Sequence, residues 1–392
     1  MGAARVPVLR VAHRAVRRLR AGHPWIFRDD LMAADGAEHG AAVLVAGPTG
    51  PPIAAALYSA TSKIALRVCA GAGEIPGHDE WRRRGRAAAE FRARVVRDDT
   101  DTFRVVFAES DAIPGLIVDR YAEHVVVQVL VAGAERVVEP VLAGLQDAGL
   151  RVLSVLARND PAVRTLEGLP REILQLRGAT PHDIEVRENG TRLFVDPWSG
   201  QKTGAFLDQR DNRRAAVRWC TGRVLDVFSY QGWFAVQVAR KATAVVAVDS
   251  SRDALAALRR NADANGVTVD AAEDNAFDRL RALDGAGERF DAVLLDPPAF
   301  AKNRRDRPAA MRGYKEVNLR AMRVLRERGI LVTSSCSYHL GEAEFLDVVA
   351  DAAADAGRTF RVLERRSQAP DHPILLAFPE SRYLKCLVLG LT

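Results

Sequence analysis

The stretch Asp226-Val-Phe-Ser-Tyr-Gln-Gly232-Trp-Phe234 decides the fold. The apolar run Val224–Phe228 reads as a buried strand, and the single Gly232 after it opens a helix. The same rhythm repeats downstream. Strand Ala244–Val248 precedes a helix with Ser251 as its N-cap. Strand Phe290–Leu295 ends at Asp296-Pro297-Pro298, and a helix is expected from about Pro308 to Arg328. Strand Ile330–Thr333 ends at Ser334-Ser335-Cys336-Ser337. Strand–helix alternation of this kind, from about residue 190, predicts an α/β, Rossmann-like parallel sheet with helices on both faces. Ligands of such sheets bind at the carboxyl ends of the strands, where the unusual residues of this sequence fall.

Those residues limit the chemistry. The first turn lacks the GxGxxG fingerprint of dinucleotide-binding domains, so hydride transfer loses its main support. Asp226 beside the turn suits a ligand with a cationic amino group, such as S-adenosylmethionine, although a capping aspartate explains it equally well. Asp249 ends the second strand and can accept both hydroxyls of a ribose, or serve as a helix cap. Asp274, with Asn275, follows the third strand and could face an adenine edge. In Asp296-Pro297-Pro298-Ala299-Phe300 two prolines fix the backbone after a buried strand, holding the carboxylate towards the cleft, and Phe300 can stack on a flat ring. Cys336 lies among hydroxyl residues at the same edge of the sheet, where a thiolate would face the same pocket. Cys220 and Cys386 read as inert core thiols. The stretch Gly200-Gln-Lys-Thr-Gly-Ala-Phe-Leu-Asp-Gln-Arg210 looks too polar for core. It reads as a loop that could cover a cofactor, with Lys202 or Arg210 facing a carboxylate.

Upstream, short apolar runs with turn signals (Ala41–Ala46, Ile53–Tyr58, Ile64–Cys69) read as a small β-barrel, followed by a linker at 71–80. A helix from Trp81 to Arg97, strands at Phe103–Ala108, Leu116–Asp119 and Val125–Val131, a helix over about 135–148 and a strand at Val152–Ala157 make a small α/β unit. The domains are therefore expected at 1–73, 80–185 and 190–392. The chain has 392 residues, 56 Lys and Arg against 50 Asp and Glu, and the whole excess of +6 lies in residues 1–100. A basic front end on a neutral body points to a polyanionic partner. The Arg cluster at 82, 83, 84, 86, 92, 94 and 97, opposed only by Glu90, is expected to meet phosphates, the alternative being a solvated basic helix face. Four dispersed cysteines form no CxxC pair and the histidines show no ligand spacing, so neither a disulfide framework nor a metal site is expected, and a reducing cytoplasm fits. No apolar run is long enough for a membrane span, and no secretory signal is expected.

Six pieces together resemble the large-subunit ribosomal RNA cytosine-C5 methyltransferases of the bacterial RlmI type: GHPWIF (22–27), FAESDAIPGLIVDRY (107–121), GQKTGAFLDQRDNRR (200–214), DVFSYQGWF (226–234), DPPAF (296–300) and TSSCS (333–337). They span nearly the whole chain in order. The resemblance implies an N-terminal PUA-like RNA-binding β-barrel, a small central α/β domain and a C-terminal Rossmann-like methyltransferase domain. It implies S-adenosylmethionine as cofactor and RNA, in particular large-subunit ribosomal RNA, as partner. The cofactor is then expected against Lys202, Thr203, Gly204, Phe206, Asp208, Arg210, Asp226, Phe228, Ser229, Tyr230, Gly232, Asp249, Ser250, Asp274, Asn275, Asp296 and Pro297. RNA is expected against Phe300, Lys302, Arg82, Arg83, Arg84 and Arg86. Trp233 departs from the pattern, since relatives often carry a second glycine there, and the sequence leaves its effect on the shape of the cofactor loop open.

The chemistry implied is 5-methylcytosine formation. Carbon 5 of cytosine is a poor nucleophile, and addition of the Cys336 thiolate to carbon 6 makes it an enamine carbon. Asp296 would hold the ring at N3 and the exocyclic amine. Some cytosine methyltransferases carry a second cysteine beside the Pro-Pro loop; none stands here, so the base that removes the carbon-5 proton has no candidate in the sequence. Two other readings stay open. A base-amine methyltransferase acting on guanine N2 would need no thiol, and an RNA-binding or ribosome-assembly factor would need no cofactor. A homodimer is possible, although the sequence is silent on the oligomeric state.

Overall fold

The computed structural model describes residues 6–34, 36–301 and 304–392. The chain forms two compact units. One comprises Met1–Val186, Val195–Leu207 and Pro370–Ser381; the other comprises Arg187–Phe194, Asp208–Ala369 and Arg382–Thr392. Among the described residues no helix is long and apolar enough to cross a membrane.

The second unit is built on seven strands: β1 Gly222–Val227, β2 Ala242–Asp249, β3 Asp270–Glu273, β4 Phe290–Leu295, β5 Leu325–Ser335, β6 Phe360–Arg366 and β7 Lys385–Leu391. Their order across the sheet is β3-β2-β1-β4-β5-β7-β6. The first five run parallel, while β7 pairs antiparallel with both β5 and β6. The strand order reverses between β1 and β4, which opens a crevice at their carboxyl ends. The central strands are largely apolar because helices cover both faces: Leu225, Val227, Val293 and Leu295 join one core, Val224, Ala292 and Leu294 the other.

The helix expected to reach Arg328 spans Arg307–Arg323 and ends five residues early. Leu325 already pairs with Phe290, and Arg328 has φ +61°, so a left-handed turn takes the place of the last helical residues. Trp233 lies past the turn that follows β1. It is the first residue of the helix Trp233–Ala239, and its ring is buried under the guanidinium of Arg213, 5.1 Å from the ring centre.

The first unit contains two sheets. A mixed six-stranded sheet has the order Trp25–Phe27, Ile64–Gly71, Pro52–Tyr58, Ala42–Ala46, Val8–Val11, Leu31–Ala33. A five-stranded sheet has the order Glu172–Arg177, Ser154–Asn159, His124–Val129, Leu116–Tyr121, Thr102–Phe107. Helices His78–Val95 and Val138–Asp147 pack closely at Gly85 and Gly144, where a Cβ would meet the facing backbone. Residues 195–207 and 370–381, expected in the C-terminal domain, belong to this unit for specific reasons. The Thr203 hydroxyl donates to Asp119 Oδ2 at 2.6 Å, and Asp371 Oδ2 accepts the Arg104 N–H at 2.9 Å.

Candidate active site

The turn after β1 is wound tightly. Phe228, Tyr230 and Gly232 all have positive φ, at +64°, +48° and +74°. Two bulky residues in the left-handed region store strain of the kind found at ligand-binding loops. Hydrogen bonds hold the turn: Ser229 N–H to Val248 O at 3.1 Å, Tyr230 N–H to Asp249 Oδ2 at 2.8 Å, Gly232 N–H to Ser229 O at 2.8 Å. Gly232 has no alternative, because a Cβ there would collide with the Leu258 side chain.

Asp226 sits beneath this turn and is 1% exposed. Its carboxylate accepts the Ala235 N–H, but Oδ2 has no partner. Ser229 Oγ and Gln231 Oε1 nearby are also buried without one. Burial pushes the Asp226 carboxyl well above the usual carboxylate range; Asp296 and Asp249 push it the same way, while the Ala235 N–H and Arg213 oppose them.

Asp249 is not the helix cap. Its Oδ1 accepts the Ser251 N–H at 2.9 Å, and Ser251 itself caps the helix Arg252–Ala264 through the Ala254 N–H. The carboxylate is thereby fixed at the end of β2 with lone pairs to spare, while Ser250 is exposed. Asn275 departs from expectation. Its side-chain oxygen caps the helix Ala276–Gly285 by accepting the Phe277 and Asp278 N–H groups, which removes that oxygen from an adenine-facing role. Asp274 Oδ1 accepts the Asn275 N–H at 2.8 Å.

At the ends of β4 and β5 the structure brings together the two residues expected to act on substrate. Cys336 Sγ lies 4.0 Å from the Pro297 carbonyl oxygen, and Asp296 Oδ1 accepts the Gln209 side-chain amide at 2.7 Å. Cys336 is partly exposed, whereas the other three cysteines are buried. Burial pushes the thiol of Cys69 up to about 11 and that of Cys386 up to about 12, and raises Cys220 likewise. Of the four thiols, Cys336 is the one that solvent reaches. Phe300 is less available than expected: its half-buried ring packs 4.7 Å from Tyr314 and within 6.5 Å of Phe228 and Phe277, so it walls the site as part of an aromatic cluster.

The polar stretch from 200 to 210 is mostly buried, against expectation, because its polar groups find partners. Thr203 is held between the Tyr121 hydroxyl and Asp119; Gly204 backs onto Val195 and Tyr121; the Lys202 ammonium sits over the Phe206 ring. These four residues belong to the first unit. In the second unit, Asp208 Oδ2 accepts the Tyr383 hydroxyl at 2.7 Å and Arg210 is buried beside Asp211. The residue between them, Gln209, reaches Asp296, a role that no motif announced.

The arginine cluster is not opposed by Glu90 alone. Arg82 pairs with Asp147, Arg83 and Arg84 with Glu80, and Arg86 with Glu90. Arg92 is fully buried against Asp111, which takes it out of any phosphate-facing surface. Arg84 is mostly covered and donates to the Cys69 and Ala112 carbonyls, whereas Arg82, Arg83 and Arg86 stay exposed. Lys302 lies outside the described residues.

Comparison with known proteins adds to this geometry. Residues 128–385 match the model of the S-adenosylmethionine-dependent methyltransferase family, and residues 9–70 match a PUA-like domain. The chain is 40% identical over 379 residues to the ribosomal RNA large subunit methyltransferase I of Photobacterium profundum, covering 94% of this chain and 95% of that one. The protein belongs to the ribosomal RNA large subunit methyltransferase I family. Its relative of that name in Klebsiella pneumoniae is 37% identical, with 97% of each chain covered. A methyltransferase structure solved in complex with SAH has the same fold, with TM-score 0.85 at 18% identity, covering 98% of this chain and 100% of that one. The protein is thus an S-adenosylmethionine-dependent methyltransferase with an N-terminal PUA-like domain and a Rossmann-like catalytic fold.

Proposed function

We propose that the enzyme forms 5-methylcytosine in large-subunit ribosomal RNA through a covalent adduct on Cys336. The observation that carries this reading is the placement of the one partly exposed thiol, Cys336, 4.0 Å from the carbonyl of Pro297, next to Asp296. A base-amine methyltransferase needs no nucleophile there. The family's name supports ribosomal RNA as the substrate, and the PUA-like domain supports RNA binding.

The residues present fit the cofactor. A buried carboxylate with an unpartnered oxygen, beside a turn whose glycine leaves no room for a side chain, suits the ammonium of S-adenosylmethionine. Asp226 with Ser229 would hold the amino-acid end and Asp249 the ribose. Asp274 with the Phe228 ring would hold the adenine. When bound, the cofactor supplies an electrophilic methyl group at the carboxyl edge of the sheet.

The chain's own residues do the rest. The target base leaves its stack to enter the site, at a cost of about a few kcal/mol unless it already lies in a loop. Asp296, oriented by Gln209, holds the cytosine at N3 and the exocyclic amine. The Cys336 thiolate adds to carbon 6, carbon 5 takes up the methyl group, and the thiolate leaves as carbon 5 gives its proton to water. Exposed Arg82, Arg83 and Arg86 contribute phosphate contacts that give affinity rather than sequence choice. The reading places the enzyme in the cytoplasm. It is tested by substituting Cys336 and following label from S-adenosylmethionine into RNA nucleosides: loss of labelled 5-methylcytidine supports it, and label in another nucleoside overturns it.

A further inference from the structure

Lys385 opens β7 and is 4% exposed. In the antiparallel pairing of β5 with β7 it stands opposite Ser335, one residue before Cys336. Its ammonium donates to the Ser337 carbonyl at 2.7 Å and to the Tyr383 carbonyl at 2.9 Å. The Ser337 hydroxyl in turn is held by the Tyr314 hydroxyl at 2.9 Å and accepts the Ala301 N–H at 3.2 Å. The residues flanking Cys336 are thus fixed from three elements at once.

The charges around this ammonium are unusual. Among the described residues no carboxylate pairs with Lys385. Glu342 is engaged by Arg382 at 2.6 Å, Asp208 lies behind the Tyr383 hydroxyl, and Tyr314 faces the turn as a neutral phenol whose ionisation burial discourages. A buried ammonium bonded only to carbonyls lacks a full counter-charge, an arrangement that costs stability unless an anion forms beside it. The acid left beside it is the Cys336 thiol.

We propose that Lys385 is a positioning residue for Cys336: it fixes the turn that carries the thiol and supplies the positive charge that favours the thiolate. The step is a proton equilibrium in which Sγ gives its proton to solvent, or to the neutral fraction of the Lys385 amine, and the resulting thiolate faces an ammonium. Burial lowers the Lys385 ammonium and the charge of Cys336 opposes that fall, leaving it at about 8. The proposal rests on the reading of Cys336 as nucleophile, but its test does not use methyl transfer.

The experiment is alkylation of the full-length protein with iodoacetamide from pH 5.5 to 9.5, read by peptide mass spectrometry, for wild type, Lys385→Met and Lys385→Arg. The buried Cys69, Cys220 and Cys386 serve as internal controls. Wild-type Cys336 is expected to titrate at least about one unit below the ordinary cysteine value of about 8.5. Lys385→Met should slow alkylation at pH 7 about tenfold, the equivalent of one pKa unit, and Lys385→Arg should keep most of the wild-type rate. A wild-type Cys336 that titrates at about 8.5 or above overturns the proposal without any variant, which covers the case of a Lys385→Met protein that does not fold. An unchanged profile in a folded Lys385→Met protein overturns it as well. Methyl transfer that survives Cys336→Ala would instead count against the nucleophile reading while leaving the alkylation result interpretable.

Discussion

The side-chain amide of Gln209 donates to Asp296 Oδ1 at 2.7 Å, and Gln209 Oε1 accepts in turn from Asn212 Nδ2 at 2.6 Å. Gln209 is thereby locked in one orientation and fixes the carboxylate proposed to hold the base. Replacing it with leucine removes a hydrogen bond to a charged group, worth about 1.5–3 kcal/mol. Gln209→Leu should therefore lower kcat about 10- to 100-fold while cofactor affinity, measured by calorimetry, stays within about threefold.

Asp226, proposed to hold the cofactor's amino group, costs the unliganded fold stability when ionised. Its folded pKa is raised above the unfolded value of about 3.9, so its favourable contribution is complete below about pH 4 and is lost as pH rises through the raised value. Asp226→Asn removes that penalty. Without cofactor, the variant should melt higher than wild type at pH 8, and the gap should close towards pH 4. Its affinity for S-adenosylmethionine should fall at least about tenfold. A variant that binds as tightly as wild type would remove Asp226 from the cofactor site.

Gly232→Ala puts a Cβ into the Leu258 side chain at φ +74°. The expected loss is about 1–3 kcal/mol of stability, read by denaturant unfolding, with cofactor binding reduced as the turn shifts. Adding Leu258→Ala should restore part of the space but leave the backbone strain, so the rescue should be partial.

The triple variant Arg82→Gln, Arg83→Gln, Arg86→Gln tests the exposed basic face. Each arginine already has a carboxylate partner, so the slope of log affinity against log salt should fall by less than the value of about 2.7 expected for three free phosphate contacts. An unchanged slope would exclude this face from RNA contact.

The parallel sheet was legible because β1, β2 and β4 are largely apolar, with Asp226, Asp249 and Asp296 at or just past their carboxyl ends, a pattern that survives without tertiary context. The turn at Gly232 and the pairing of the Asp296 loop with Cys336 followed from that topology. Other features depend on distant partners. The stretch 200–210 looks like loop because it is polar, yet Thr203 and Asp208 are buried on Asp119 and Tyr383, which nothing local reveals. Arg92 looked like part of a basic face but is neutralised by Asp111, 19 residues on. Gln209 stands inside the 200–214 motif, but nothing local names Asp296 as its partner, and Lys385 stands in no motif; their positions follow only from the helix start at Arg210 and the antiparallel return of β7 beside β5.

The most direct measurement is methyl transfer from labelled S-adenosylmethionine to large-subunit ribosomal RNA, with nucleoside analysis, for wild type and Cys336→Ala. The account predicts labelled 5-methylcytidine with wild type and none with the variant, which should still bind cofactor. Label in a different nucleoside, or 5-methylcytidine formed without Cys336, would contradict it.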